Sequence, residues 1–200
     1  MTALALRSLA HGSRLSLACC AIAIGLAGCG GAAAQRQEEQ AAVQRESTAD
    51  ELLRKAEASA SVGDSTRAEQ YYVSALKAGA DARVVVPKLL VVCVADQRYP
   101  AAIEYAEQHL GRHPTDLDIE FAAASLHAAV GQRARARQLL EAVLKARPSW
   151  PEAHYALASV LRADGDSLDV ADEHDLAYLK LEPDGPFAER VRARLNRAAP

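Results

Sequence analysis

The sequence predicts an all-α fold: a solenoid of about four helix-turn-helix units closed by a C-terminal helix. Three observations predict it. The first is a period near 34 residues. Pro114 and Pro148 lie one period apart and Pro183 follows one residue late, while one offset of the period holds alanine four times, at Ala68, Ala102, Ala136 and Ala171. A second offset carries Ala56, Leu90, Ala124 and Ala158. The second observation is that apolar residues recur at intervals of three and four, as in Leu139, Leu140, Val143 and Leu144. That spacing lays one buried stripe along a helix. The third is punctuation: "VGDST", "ADQRYP", "VGQR" and "ADGDS" are turn-forming stretches between the helical runs. A unit of this length buries its apolar face only against a neighbour, so such units stack. No stretch alternates long enough to predict a sheet. "RVVVPKLLVVCVA" is rich in β-branched residues, but its length and its phase in the period predict a buried helix.

In chain order, residues 1–28 form three zones: a leader with Arg7 and Arg14 and no acid, an apolar core from Leu15 to Leu26, and a small-residue end. This is the layout of a secretory signal peptide. The apolar core is shorter than the about 20 residues a membrane-spanning helix needs. The tetrapeptide Leu26-Ala27-Gly28-Cys29 resembles the lipobox of bacterial lipoproteins. An ordinary secretory signal fits the zones too; the order and position of these four residues favour the lipobox. The resemblance implies cleavage between Gly28 and Cys29, a diacylglycerol thioether on Cys29, and acylation, as with palmitate, of the new amino terminus. A thiol is the soft nucleophile that can take the lipid, and small neighbours leave it accessible. Several acyl chains, at about 0.8 kcal/mol per buried methylene, exceed what stable anchoring requires, so the mature chain would sit on a bilayer without crossing it.

Processing changes the cysteine and charge arithmetic. Cys19 and Cys20 leave with the leader and Cys29 carries lipid, which leaves Cys93 without an intrachain disulfide partner. Within "KLLVVCVA", Cys93 reads as a small buried apolar residue. The net charge of −3 falls to −5 once Arg7 and Arg14 are lost, a poor balance for nucleic acid. Residues 29–48, lipidated at Cys29, then read "GGAAAQRQEEQAAVQREST" from Gly30, with Val43 the one large apolar residue. This predicts a flexible tether, helical only toward its end.

The period divides residues 49–185 into units 49–82, 83–116, 117–150 and 151–185. Their small residues at the eighth and twentieth positions and the closing prolines resemble the tetratricopeptide repeat, a helix-turn-helix of 34 residues. The fourth unit, "PEAHYALASVLRADGD", matches best, and the third is close behind with Gly131 and Pro148. The second lacks the turn glycine, and the first has Lys55 at position seven and ends at Gly79-Ala80. None carries the family's tryptophan at position four, so the units are degenerate. After them, residues 186–200 place Phe187, Val191 and Leu195 at four-residue spacing with Arg190, Arg194 and Arg197 on another side, a helix suited to cap a solenoid's open end.

In the resembled family, positions two, five, nine and twelve of each first helix point into a groove. Carried over, these are Asp50, Leu53, Glu57 and Ala60; Val84, Pro87, Val91 and Val94; Asp118, Phe121, Ser125 and Ala128; and Glu152, Tyr155, Ser159 and Arg162. Val84, Pro87, Val91, Phe121, Ser125, Tyr155, Ser159 and Arg162 are the candidate partner-binding residues. The groove would be apolar at its middle with acids toward the rim. Lysine at five and asparagine at nine, which would clamp a peptide carboxylate, are absent, so an apolar partner segment such as an amphipathic helix is favoured. No catalytic motif is present: no G-x-S-x-G, P-loop or dinucleotide fingerprint. His109 and His113 have the spacing of a metal pair, but without HExxH they read as surface or helix-end residues. His127 and His154 occupy packing positions. The arginines of "QRARARQ" and of the last helix read as solvated faces, with anionic headgroups or glycan as the sharper option. No cofactor, metal or enzymatic activity is expected.

The whole describes a bacterial envelope lipoprotein that binds proteins or peptide segments. With glycine and not aspartate after Cys29, the enterobacterial sorting pattern favours the outer membrane, facing the periplasm. Chains of this build serve pilus, secretion and envelope assembly. An adaptor of cell-wall hydrolases, or less readily a metal-dependent envelope protein, is the alternative.

Overall fold

The computed structural model describes residues 29–165 and 167–198; Leu26, Ala27 and Gly28 of the lipobox lie outside the described residues. Those residues form nine α-helices and no strand: α1 (Cys29–Ser61), α2 (Ser65–Lys77), α3 (Ala82–Ala95), α4 (Tyr99–Arg112), α5 (Leu117–Ala129), α6 (Arg133–Ala146), α7 (Pro151–Asp164), α8 (Leu168–Leu181) and α9 (Ala188–Ala198). The chain divides into two units, 1–42 and 43–200. In the first, the described residues are helical from Cys29. The expectation of a flexible tether over 29–48 therefore gives way to helix. Alanine, glutamine, glutamate and arginine are among the strongest helix formers, and no glycine or proline follows Gly31 in that stretch.

The second unit holds the helix pairs. Local chemistry starts them: Asp64 accepts from the Arg67 amide at 3.0 Å, Asp81 from Arg83 at 2.9 Å and Asp116 from Ile119 at 3.3 Å, each satisfying an otherwise unpaired first-turn donor. Pro100 and Pro151 begin α4 and α7, where the missing amide hydrogen costs nothing. Within each pair, the connecting turn uses a left-handed residue at the same phase: Gly63, Gln97, Gly131 and Gly165. The unit that lacks glycine thus bends as the others do, with Gln97 at φ 58°.

The small residues at the two repeated offsets explain the close packing. Ala56, Ala124 and Ala158 are fully buried with Leu90 nearly so, and Ala68, Ala102, Ala136 and Ala171 show no exposed surface. Each alanine lets a neighbouring helix approach where a larger side chain would hold it off, and Leu90 fills that place in the second pair. Between these contacts Tyr72, Leu89, Leu140, Leu157 and Leu161 fill a core that is continuous from one helix pair to the next. Burying each such side chain contributes about 1.5–3 kcal/mol.

The C-terminal end has a smaller core of Tyr178, Ala188 and Val191, flanked by Tyr155, Phe187 and Leu195. The Phe187 amide donates to the Tyr178 hydroxyl at 3.0 Å. Gly185 passes so close to that hydroxyl that a Cβ has no room. Asp175 of α8, fully buried, ties the end together. It accepts from Arg162 of α7 at 2.9 Å and from Arg194 of α9 at 2.7 Å, while Arg162 also pairs with Asp172. Burial pushes the Asp175 carboxyl above its ordinary range, and the two guanidinium groups pull the other way.

Candidate functional site

The first helices of the pairs carry the candidate positions. On α3, Val84, Pro87, Val91 and Val94 recur at intervals of three and four and so share one face. All four are exposed, Val91 at 68%, while Val85, Val86, Leu89, Leu90, Val92 and Cys93 take the buried side. Opposite stands α5, and between the two helices lies a cleft of about 540 Å³. Pro87, Leu90, Val91, Val94, Ile119 and Ala122 make its apolar walls; Asp118, Ser125 and Tyr99 are the polar residues at its edge. The Ser125 hydroxyl donates to the Phe121 carbonyl at 3.0 Å, an internal bond.

A second cleft, of about 450 Å³, lies between α5 and α7 and shares Ser125 with the first. Phe121, Ala128, Tyr155, Ala156 and Ser159 line it, and Phe187, just before α9, closes its end. Phe121 packs against Trp150, ring centres 4.8 Å apart. Tyr155 lies stacked on Phe187 at 4.0 Å with the planes 5° apart. Arg190 donates to the Tyr155 hydroxyl at 2.9 Å, and Arg194 donates to the Ser159 hydroxyl at 3.0 Å with its guanidinium 4.7 Å from the Tyr155 ring centre. The last helix therefore engages Tyr155 and Ser159 from within the chain.

Of the eight candidate residues, Pro87, Val91 and Ser125 meet at the first cleft and Phe121, Ser125, Tyr155 and Ser159 at the second. Val84 is exposed on the same face of α3 but lines neither. Arg162 is a correction. Its guanidinium turns to Asp172 and Asp175 of α8, because a buried carboxylate at Asp175 demands a cation. Position counting along one helix missed Ile119, Ala122 and Phe187, which enter from neighbouring turns or the next element. The apolar pattern of "LDIEFAAAS" is the only signal of the first two.

Charges near this face are mostly paired inside the chain. Glu57 pairs with Lys88, Asp118 with Arg147 at 3.3 Å, and Arg133 with Asp164 at 2.6 Å. Of the arginines of "QRARARQ", Arg137 pairs with Glu141 at 2.7 Å, while Arg135 donates to the neutral Gln138 side chain at 2.8 Å.

The histidines and Cys93 sit in structural settings. His109 is buried and not at the surface, its Nε2 2.8 Å from Asp116, with the His113 ring 4.6 Å away centre to centre. His127 is buried against Gln132 at 2.6 Å. His154 Nε2 donates to the Pro148 carbonyl at 2.9 Å, which leaves its Nδ1 to accept from His174 Nδ1 at 2.8 Å. Among the described residues no three His, Cys, Asp or Glu side chains gather as a metal site, and no helix is long and apolar enough to cross a membrane. Burial, with the Glu69 carboxylate second, pushes the Cys93 thiol up to about 11, where it is not nucleophilic at neutral pH.

Residues 94–160 match the family model described as tetratricopeptide repeat. Among solved structures, a tetratricopeptide repeat protein from Parabacteroides merdae superposes with a TM-score of 0.66 at 19% identity, covering 74% of this chain and 58% of that one. MamA from Desulfovibrio magneticus RS-1 gives 0.65 at 17% identity over 74% and 86% of the two chains. YrrB, described as a TPR protein with an unusual peptide-binding site, gives 0.63 at 18% identity over 80% and 86%. Comparison with curated proteins gave no match. The likenesses establish the fold as a tetratricopeptide-repeat solenoid.

Proposed function

We propose that the chain is a lipid-anchored scaffold of the bacterial envelope that binds segments of protein partners on the face of its first helices, in assembly of a pilus, secretion or other envelope complex. The observation that carries the binding role is the pair of apolar clefts meeting at Ser125, open beside an exposed valine stripe. A monomeric surface rarely leaves such a patch without use. The peptide-binding site named for YrrB, which shares this fold, supports the same role. Anchoring at the outer membrane rests on the Leu26-Ala27-Gly28-Cys29 motif and on Gly30 after it.

Two measurements test the proposal. Intact-mass analysis of the protein from membranes should show a chain beginning at an acylated Cys29; an unmodified start overturns the anchor. Photo-crosslinkers at Phe121 and Tyr155 should yield one recurrent protein adduct in cells, and loss of adducts at both positions overturns the docking role.

A further inference from the structure

A cavity of about 230 Å³ lies among the end of α2, the start of α3 and the last two turns of α4, and it shares no wall residue with either cleft. Leu76, Ala80, Ala82 and Val86 form its apolar wall. The other wall is polar and comes from α4 and its cap: Tyr105, Gln108, His109, Arg112 and His113. Two of these donate within the chain, Tyr105 to Glu69 at 2.9 Å and Gln108 to Glu104 at 3.0 Å. His109 differs. It is 4% exposed, yet its Nδ1 has no hydrogen-bond partner. A buried polar atom left unpaired is destabilising, and a ligand that reaches it removes the penalty.

The other ring nitrogen fixes what Nδ1 can do. Nε2 lies 2.8 Å from Asp116 Oδ2. Burial pushes the Asp116 carboxyl up, but the bonds from His109 and the Ile119 amide outweigh it and hold the group below its ordinary range, so it is ionised and Nε2 carries the proton. In the neutral ring Nδ1 is then an acceptor and needs a hydroxyl or an N–H. Arg112 follows His109 by one helical turn, so the two share a side of α4 with Cβ atoms about 5–6 Å apart. It is exposed and, among the described residues, has no ion-pair or hydrogen-bond partner. Its charge disfavours a metal ion on the imidazole and favours an anion.

We infer that this cavity binds a small α-hydroxy carboxylic acid with a short apolar body. The hydroxyl donates to His109 Nδ1, the carboxylate pairs with Arg112 beside the His113 ring, and the body rests on Leu76, Ala80, Ala82 and Val86. The cavity is smaller than the about 300–1,000 Å³ of sites for drug-sized ligands, which limits the body to one ring or a branched chain. It is separate from the docking face of the first helices, so either can fail without the other.

Racemic mandelate is the probe, titrated calorimetrically into the full chain. Phenylacetate, which lacks the hydroxyl, and mandelamide, which lacks the charge, should each bind about tenfold more weakly. Arg112→Gln, at an exposed position, should weaken mandelate about tenfold with unchanged circular dichroism and leave mandelamide within about twofold. Ala80→Leu, which fills the cavity, should abolish binding of all three, whereas Val91→Glu at the docking face should change mandelate affinity less than about twofold. In long-range proton–nitrogen NMR spectra the His109 Nδ1 resonance should move with mandelate and stay in place with phenylacetate. Mandelate binding no better than phenylacetate or mandelamide, affinity indifferent to Arg112→Gln or Ala80→Leu, or an Nδ1 resonance that ignores mandelate overturns the inference. So does the lack of any mandelate binding at about 10 mM, a concentration that reveals even a weak site.

Discussion

Gln97 shows how one position can be fixed by its neighbours' geometry. The turns at Gly63, Gly131 and Gly165 fall at the same phase, and Gln97 takes the same left-handed conformation without glycine's freedom. A Cβ in that region costs about 1–2 kcal/mol, part of which glycine gives back in unfolded-state entropy. Gln97→Gly should stabilise the protein by about 0.5–1 kcal/mol in urea denaturation; no gain would mean the glutamine side chain makes up the strain. His174 offers a second case. Burial and then His154 hold its pKa below the ordinary 6.5, against Glu173, Glu141 and Asp175 nearby. The unfolded chain then binds protons more readily, so stability is full above that ordinary value and is lost as the pH falls through the lower folded value. Denaturation at about pH 7.5 and about pH 5.5 should show wild type losing more stability than His174→Gln. An identical fall in both would show that other groups govern the acid limb.

The last helix is held less by its own stripe than by one buried acid. α9 contributes Val191 and Ala188 to the small core, but Arg194 fixes its orientation by reaching Asp175, Ser159 and the Tyr155 ring together. Removing a buried carboxylate leaves a cation without its charge partner, here Arg194, while Arg162 keeps Asp172, at a cost of about 3–5 kcal/mol. Asp175→Ala should lower stability by about that amount and release α9, seen as faster amide exchange over Ala188–Ala198 than in wild type. Unchanged exchange there would mean Phe187 and Val191 suffice. The helix α3 is the opposite case. Its buried side is apolar throughout, and its outer side carries Val84, Pro87, Val91 and Val94, so its sequence alone does not say which side meets the core.

Stacked units interact with their neighbours only, so the ends of the array have fewer partners than its middle. Leu140 of α6 and Leu157 and Leu161 of α7 belong to the core that is continuous from one helix pair to the next. Hydrogen exchange should therefore be slowest in α6 and α7 and faster in α2 and α9. Uniform protection from α2 to α9 would show instead a single cooperative block.

Much of the fold is legible in the sequence alone. The period, the alanines at its two fixed offsets and the turn stretches obey local rules: a helix needs a stripe, a close crossing needs a small residue, and a turn needs a residue tolerant of positive φ. These place the helix pairs and the capping helix. The helix over 29–48 escapes the same rules because low apolar content suggests disorder, although its residues favour helix individually. Long-range placement is not legible. Arg162 sits at a groove position by count and yet serves Asp175, and Asp175 looks like any surface acid until α7, α8 and α9 surround it. Which exposed valines border a cleft, and which charges cancel beside it, depends on side chains about thirty residues apart meeting in space. Local pattern selects the element, whereas burial and pairing arise only once the elements are assembled.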